Sequence, residues 1–503
     1  MRLGFYLPFA ETLDPAANAR LLALTRRLLE QPLPGVTDLV PGYVNLYVEF
    51  DARRVSQARV ERWLAPFLQE LPSADQGRLV EVPVRYDGED LAWVAQATGL
   101  TPAEVVQLHQ KPTYRVFATG FTPGFPFMGP LEPPLRLPRR AFPRPQVSAH
   151  QVAIAGHQTG IYPLPSPGGW HLLGTALVQV YNPRRPEPFL LEAGDRVRFV
   201  AAEGPTPPLP ESLELLPEKP RHPLFRVEAP GLLSLVVDQG RRLGGRLGLA
   251  AGGALDARSA QRANALVGNP PEAPLLELTL EGPQLEVLAP GVAAFAGYGL
   301  EPLLNGEPLA AGQSFALCRG DVLAFRPTGV GVRGYLAVAG GLEVGRFWGS
   351  ASTDLRGRIG RPLRAGDVLG VAQPRAVRPG FALGQPSLRV EGGETVRLLP
   401  GPQASREAQR ALCAGPFTLQ SGDRMGLQLA GPQVPGGEVI SEATPLGAVQ
   451  ITPQGQPIVL LHDRGRMGGY AKPAIVHPAD LPRLAQLRPG QKVRFVFAGA
   501  KLS

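Results

Sequence analysis

Two loops concentrate the groups that could bind a ligand or react. Gly120–Gly129 reads GFTPGFPFMG and Ala153–Trp170 reads AIAGHQTGIYPLPSPGGW. Both are too apolar for flexible linkers and too rich in Gly and Pro for regular structure. Loops of this kind hold backbone amides and a few side chains around a concave site. They serve equally as barrel corners, where Gly permits tight turns and Pro stiffens them. His150 and His157 lie in a strand-rich segment, where packing and solvent-facing roles are the ordinary ones, and no HExxH or Cys/His cluster has metal-ligand spacing. The chain has no GxxxxGK[ST] phosphate loop, no GxGxxG between a strand and a helix, no Gly-x-Ser-x-Gly elbow and no Met-flanked biotinyl lysine. Cys318 and Cys413, the two cysteines, are too few for a disulfide scaffold or a Cys-rich zinc site.

Charge excludes another class. The formal net charge is +8, but the arginines are dispersed along the whole chain rather than gathered into a basic, aromatic-interleaved segment. That is a solvated surface rather than a nucleic-acid footprint. No stretch approaches the roughly 20 apolar residues of a membrane span. The opening residues MRLGFYLPFAETLD lack a basic region followed by an apolar core and a cleavage site. A cytoplasmic location, without nucleic-acid or membrane partners, is the expectation; a homo-oligomer is compatible with the sequence.

The positioning elements follow from pattern. A chain of 503 residues with 60 Gly and 56 Pro predicts two to four domains built from short strands and many turns. Asp14–Gln31, with an Asp cap and Pro15 at the first helical position, predicts a helix. A strand over Tyr43–Phe50 and a second helix from about Val55 to Leu71 complete a small α+β unit over residues 1–80. From Arg78 strands dominate, with short helices at Asp90–Ala97 and Pro102–His109, which gives a barrel over 81–201. The proline-dense stretch 202–223 reads as an extended connector. The remainder, 224–503, contains one good helix at Asp256–Val267 and reads as two further β-barrel units. A turn of Gly-Asp ahead of an apolar strand recurs at Gly194-Asp195, Gly320-Asp321 and Gly366-Asp367, with Gly490-Gln491 as a fourth, altered copy. The fold class is mainly β with α+β portions.

Longer motifs carry a resemblance. In the first half, GVTDLV (Gly35–Val40), His109, GFTPGFPFMG, PRRAFPR (Pro138–Arg144), AIAGHQTGIYP (Ala153–Pro163) and SPGGWHLLG (Ser166–Gly174) resemble the KipI (PxpB) family. In the second, VDQGR (Val237–Arg241), GGALDARS (Gly252–Ser259), RANALVGN (Arg262–Asn269), LELTLEGP (Leu276–Pro283), RGYLAVAGG (Arg333–Gly341), GSASTDL (Gly349–Leu355), Arg424-Met425-Gly426, GAVQITPQGQP (Gly447–Pro457) and Gly468–Tyr470 resemble KipA (PxpC). The match runs in order along almost the whole chain. It implies cyclophilin-like β-barrels in both halves. It also implies fused B and C subunits of a 5-oxoprolinase that act beside a LamB/YcsF-type (PxpA-like) hydrolase subunit, with ATP and Mg as cofactors, in opening 5-oxoproline to glutamate. Related modules are similar to allophanate hydrolase subunits and to the carboxyltransferase part of urea carboxylase, so two alternatives stay open: a carboxyltransferase component served by a separate biotin carrier, and a regulator of the histidine-kinase-inhibitor kind.

Within the matched motifs, the resemblance offers Arg144, Gln158, Tyr162, Ser166 and Trp170 as substrate- or nucleotide-binding candidates in the first half. Asp238, Arg241, Asp256, Asn264, Glu277, Arg424, Gln450, Asp463, Tyr470 and Lys472 are the candidates in the second. A lactam-activating site needs cations on phosphate, a carboxylate for magnesium and polar groups on the ring. Asp256 is equally a helix cap, Asn264 a loop anchor and Trp170 a core residue; no general base is assigned. The chain departs from the family text at Val237 (for Gln), at His150 (for Gly), at Thr175, where an Arg is missing, at Gly422-Asp423 and near Gly465, where a Gln is replaced.

Overall fold

The computed structural model describes residues 2–70, 77–310, 312–383 and 393–498. Each half carries one closed seven-stranded barrel. The first is formed by Leu79–Arg85, Tyr114–Thr119, Pro126–Gly129, Gln151–Ala155, Gln158–Ile161, His171–Ala176 and Arg196–Ala201. The second is formed by Gly393–Pro400, Phe417–Gly422, Gly426–Ala430, Ala448–Ile451, Pro457–Leu460, Ala474–Val476 and Lys492–Phe497. In both, the last strand runs parallel to the first, Arg196 opposite Leu79 and Lys492 opposite Gly393, while the other pairs are antiparallel. Closure leaves neither barrel with an exposed edge.

The recurring turn explains how strands start both in the barrels and in the sheets between them. Gly194, Gly320, Gly366 and Gly490 take φ of 103°, 90°, 89° and 87°, a region open to Gly at little cost. At each Asp, the carboxylate accepts the backbone N–H three residues earlier: Asp195 from Glu192 at 3.0 Å, Asp321 from Cys318 at 2.7 Å and Asp367 from Arg364 at 2.8 Å. In the altered copy Gln491 Oε1 does the same for Arg488 N at 2.8 Å. The side chain changed and the hydrogen bond did not.

Ahead of the first barrel, a three-stranded sheet (Arg2–Pro8, Asn45–Asp51, Val36–Pro41) packs against helices Pro15–Glu30 and Gln57–Gln69. Asp14 caps the first through Ala16 N at 2.8 Å and Ala17 N at 3.2 Å. The end expected for the second helix, Leu71, lies outside the described residues. Between the barrels, where the sequence suggests another barrel, a six-stranded and a five-stranded sheet instead stay open and enclose a core of Phe225, Leu278, Leu285, Phe295, Leu323 and Leu336 from their facing sides. Helix Ala257–Leu266 packs on the five-stranded sheet through Ala260, Ala263 and Leu266.

The stretch after Ala201 is strapped down. Gly204 O accepts from Arg85, Pro208 O accepts from Gln179 at 2.7 Å, and Leu213 N donates to Arg358 O at 2.8 Å. Leu215, 6% exposed, sits in a cluster with Leu164 and Tyr181 of the first half and Phe347 and Ile359 of the second. Among the described residues no helix is long and apolar enough to cross a membrane.

Candidate functional site

The two halves meet along a seam that buries charge. Strand Val36–Pro41, apolar but for Thr37 and Asp38, places Asp38 at 3% exposure, and Asn45–Asp51 places Glu49 at 1%. Both are answered from the far end of the chain. Arg466 pairs with Asp38, and Arg464 lies 3.6 Å from Glu49, whose other oxygen accepts from Thr37 Oγ1 at 2.9 Å. Burial pushes the Asp38 carboxyl up despite Arg466 beside it. For Glu49, burial is outweighed by Arg2, Arg466 and Arg464, which hold it below the ordinary range. Sequence reasoning missed Asp38 as a site residue; the signal for it is a charge inside the otherwise apolar strand text GVTDLV.

Farther along the seam, Glu442 accepts from Asn45 of the first half at 2.9 Å, from Gln403 at 2.7 Å and from Lys472 at 3.0 Å. Lys472 is fully buried and donates also to Tyr470 O at 3.1 Å. Burial lowers its ammonium pKa, against the pull of Glu442. Strand Met467–Tyr470 runs beside Gln450: a Cβ on Gly468 would stand 3.0 Å from Gln450 Nε2. A Cβ on Gly469 would stand 3.3 Å from Ser441 Oγ and 3.5 Å from a guanidinium nitrogen of Arg139 in the first half. Two consecutive glycines thus let backbone, amide and guanidinium converge. Tyr162 and Trp170 belong to an aromatic cluster with Phe125 and Phe127 that continues across the seam onto Ala443 and Met467. Gln450, Tyr470, Lys472, Tyr162 and Trp170 are therefore brought to one junction.

A second group is brought together elsewhere. Arg424 chelates Asp463 at 2.7 and 3.1 Å, pairs with Glu277 and donates to Gly253 O at 2.7 Å. Glu277 also accepts from Leu255 N and Tyr335 Oη, both at 2.8 Å. Arg333 stands 3.9 Å from Glu277 as a second buried cation, and burial pushes Asp463 up to about 6 even with Arg424 against it. This group ties the middle unit to the second barrel. A cleft of about 140 Å³ opens beside it, bordered by Asp238, Ala257 and His462.

Of the remaining candidates, Asp238 borders that cleft and Asp256 N donates to the Tyr335 hydroxyl that bonds Glu277. Asp238 is consumed by Ser350, Ser352, Gly240 N and Ala351 N. Arg241 donates to Ser352 O, and its Nε and Nη1 are buried with no partner. Asp256 caps its helix through Ser259 and accepts from Gln486 at 2.9 Å, and Asn264 anchors a loop through Ala273 O and Asn269. Arg144 pairs with Asp90 at 2.8 Å, Ser166 Oγ is buried without a partner, and half-buried Gln158 opens a hairpin strand.

The departures also find places. Val237 is fully buried beside Leu235 and Ala263. His150 keeps a glycine-like φ of 69° with its ring buried. Thr175 donates to Asp87 at 2.9 Å. Gly465 lies against the first-half loop, where a Cβ would stand 2.9 Å from Phe121 O.

Among the described residues no three His, Cys, Asp or Glu assemble as a metal-holding group. The carboxylates near the cleft and the seam already have partners, so these residues do not fit a magnesium nucleotide.

A family model described as "Carboxyltransferase domain, subdomain C and D" matches residues 3–191, and one described as "Carboxyltransferase domain, subdomain A and B" matches 247–497. The chain is 36% identical over 207 residues to the B subunit of 5-oxoprolinase from Bacillus subtilis, covering 38% of this chain and 86% of that protein. It is 34% identical over 290 residues to the C subunit of 5-oxoprolinase from Escherichia coli, covering 54% and 91%. The crystal structure of TTHA0988 is 60% identical, with a TM-score of 0.95, over 99% of this chain and all of that one. The urea amidolyase of K. lactis matches at 29% identity and a TM-score of 0.52, over 56% of this chain and 19% of that one.

Proposed function

This chain belongs to the family of 5-oxoprolinase B and C subunits, with both in one polypeptide, and from that premise we propose that it joins a separate LamB/YcsF-type hydrolase subunit in the ATP-dependent opening of 5-oxoproline to glutamate. The observation that supports this reading is the seam: the two family members meet through Asp38–Arg466 and Asn45–Glu442–Lys472, as a site drawing on both would require.

In this reading the lactam lies beside Gly468–Gly469, within reach of the Gln450, Ser441 and Arg139 side chains that close in on the two glycines. Gln450 hydrogen-bonds the ring amide and Arg139 takes the carboxylate. Lys472 has two of its three N–H donors engaged by Glu442 and Tyr470 O, and the third is offered to the carbonyl oxygen as negative charge gathers there. Water adds to that carbonyl carbon, the ring C–N bond breaks and the ring nitrogen takes a proton. ATP supplies the driving force and its site is placed on no residue of this chain.

The test is release of glutamate and ADP from 5-oxoproline and MgATP by this chain with such a partner from the same organism. Lys472→Met is expected to lower kcat by about 10²- to 10³-fold. No release from a complex shown to have formed would overturn the reading.

The carboxyltransferase descriptions of both matched models favour a second reading, a carboxyl-transfer component served by a separate biotinylated carrier. It predicts that the chain binds such a carrier and discharges carboxybiotin; a carrier that neither binds nor loses its carboxyl group would remove it.

A further inference from the structure

The 140 Å³ cleft lies away from Lys472, at the meeting point of the N-terminal sheet, the middle unit and the second barrel. Its polar wall is short of partners. Arg2 is held by Gln239 O at 2.8 Å, Arg53 by Asp51 at 3.3 Å, and the carboxylate of Asp238 is engaged by two serines and two backbone amides. Arg242 forms no ion pair among the described residues and is exposed at the mouth. Gln239 and Gln261 stand half-buried in the lining, and His462 Nδ1 is buried with no partner. The opposite wall is apolar: Ala257, Ala260, Leu446 and Leu481.

We propose that this cleft binds a small carboxylic acid, the carboxylate on Arg242 and the hydrocarbon body against Ala260 and Leu481. Arg242 lies in the field of Arg2 and Arg54, with Asp51 and Glu272 opposing them, and no carboxylate among the described residues pairs with it directly, so its guanidinium is open to an entering carboxylate. The volume, below the roughly 300–1,000 Å³ of drug-sized pockets, restricts the ligand to a body about the size of one five-membered ring. An apolar wall opposite the guanidinium selects a carboxylate with a carbon skeleton over a bare phosphate.

The site is independent of turnover, so the test is equilibrium binding to the full chain without partner or nucleotide. Calorimetry with 5-oxoproline, glutamate, acetate and inorganic phosphate distinguishes the reaction's own acids from acids in general and from anions in general. At least one carboxylate with a carbon body is expected to bind, and Arg242→Gln is expected to weaken it at least tenfold while Arg242→Lys loses less. Because Arg242 is exposed, both variants keep the thermal midpoint. Phosphate binding without carboxylate binding, no binding at millimolar acid, or equal binding to the wild type and Arg242→Gln would each overturn the proposal. A chain that binds the acid yet shows no lactam opening with its partner would leave this site standing and the hydrolase reading fallen.

Discussion

At the scale of single residues, the Glu277–Arg424–Asp463 group shows what motif text reveals and what it withholds. All three stand in recognisable motifs, but 147 residues separate Glu277 from Arg424, and spacing carries no sign of which carboxylate meets which guanidinium. Once they meet, Asp463 has a measurable signature. Its carboxyl is raised in the folded protein from 3.8 to about 6, so the stability it contributes is complete at low pH and is lost as pH rises through 6. Asp463→Asn should abolish that slope, changing the stability difference from wild type by roughly 2 kcal/mol between pH 4 and 7.5. Urea midpoints measured across that range would show it; parallel curves would mean that Asp463 is ionised throughout. Lys472 and Gln450 are legible as candidates in the motifs, whereas Asp38, Glu49, Glu442, Arg139 and His462 are not, because their partners come from distant parts of the chain.

Among the elements, strands are legible wherever a turn announces them. The Gly-Asp pattern locates the strands beginning at Arg196, Val322 and Val368, because a positive φ and a carboxylate that reaches back three residues are both local requirements. The fourth turn yields a prediction. Gln491→Ala, which strands Arg488 N, should cost about 1 kcal/mol, and Gln491→Asp should recover most of it; thermal denaturation of both variants decides the point. Helices fall within one or two residues of their expected bounds where Asp14 and Asp256 cap them. Which strands pair, and that the last strand of each barrel lies parallel to the first, has no local cause and is not readable. The same holds for sheets against barrels in the second half: alternation marks a buried face without naming what covers it.

For the whole molecule, the seam matters more than the connector. Arg466→Met leaves Asp38 buried without its cation, which should lower stability by about 3–5 kcal/mol, read as a shifted denaturation midpoint. Cutting the chain at an engineered protease site near Thr206 should leave the halves eluting together on gel filtration, since Arg2, Tyr6, Asp38 and Asn45 all bond to the second half. Separation of the pieces would show that the connector, not the seam, holds them. A proline-dense stretch reads in sequence as a spacer; the contacts of Leu213 and Leu215 are long-range and invisible there.

The pairing of Asp38 with Arg466 spans 428 residues, and that interval is also a time. A ribosome adding roughly 5–20 residues per second needs on the order of 20–90 s to cover it. Throughout that period the nascent first half presents the Asp38 carboxylate without Arg466, and Glu49 with Arg2 but without Arg464. The N-terminal sheet can form early, but its inner charged face stays hydrated until the last strands of the second barrel emerge. The final commitment to the native state therefore belongs to the end of translation, and a ribosome stalled before Arg464 would release a product whose first half is folded locally and unfinished at its seam.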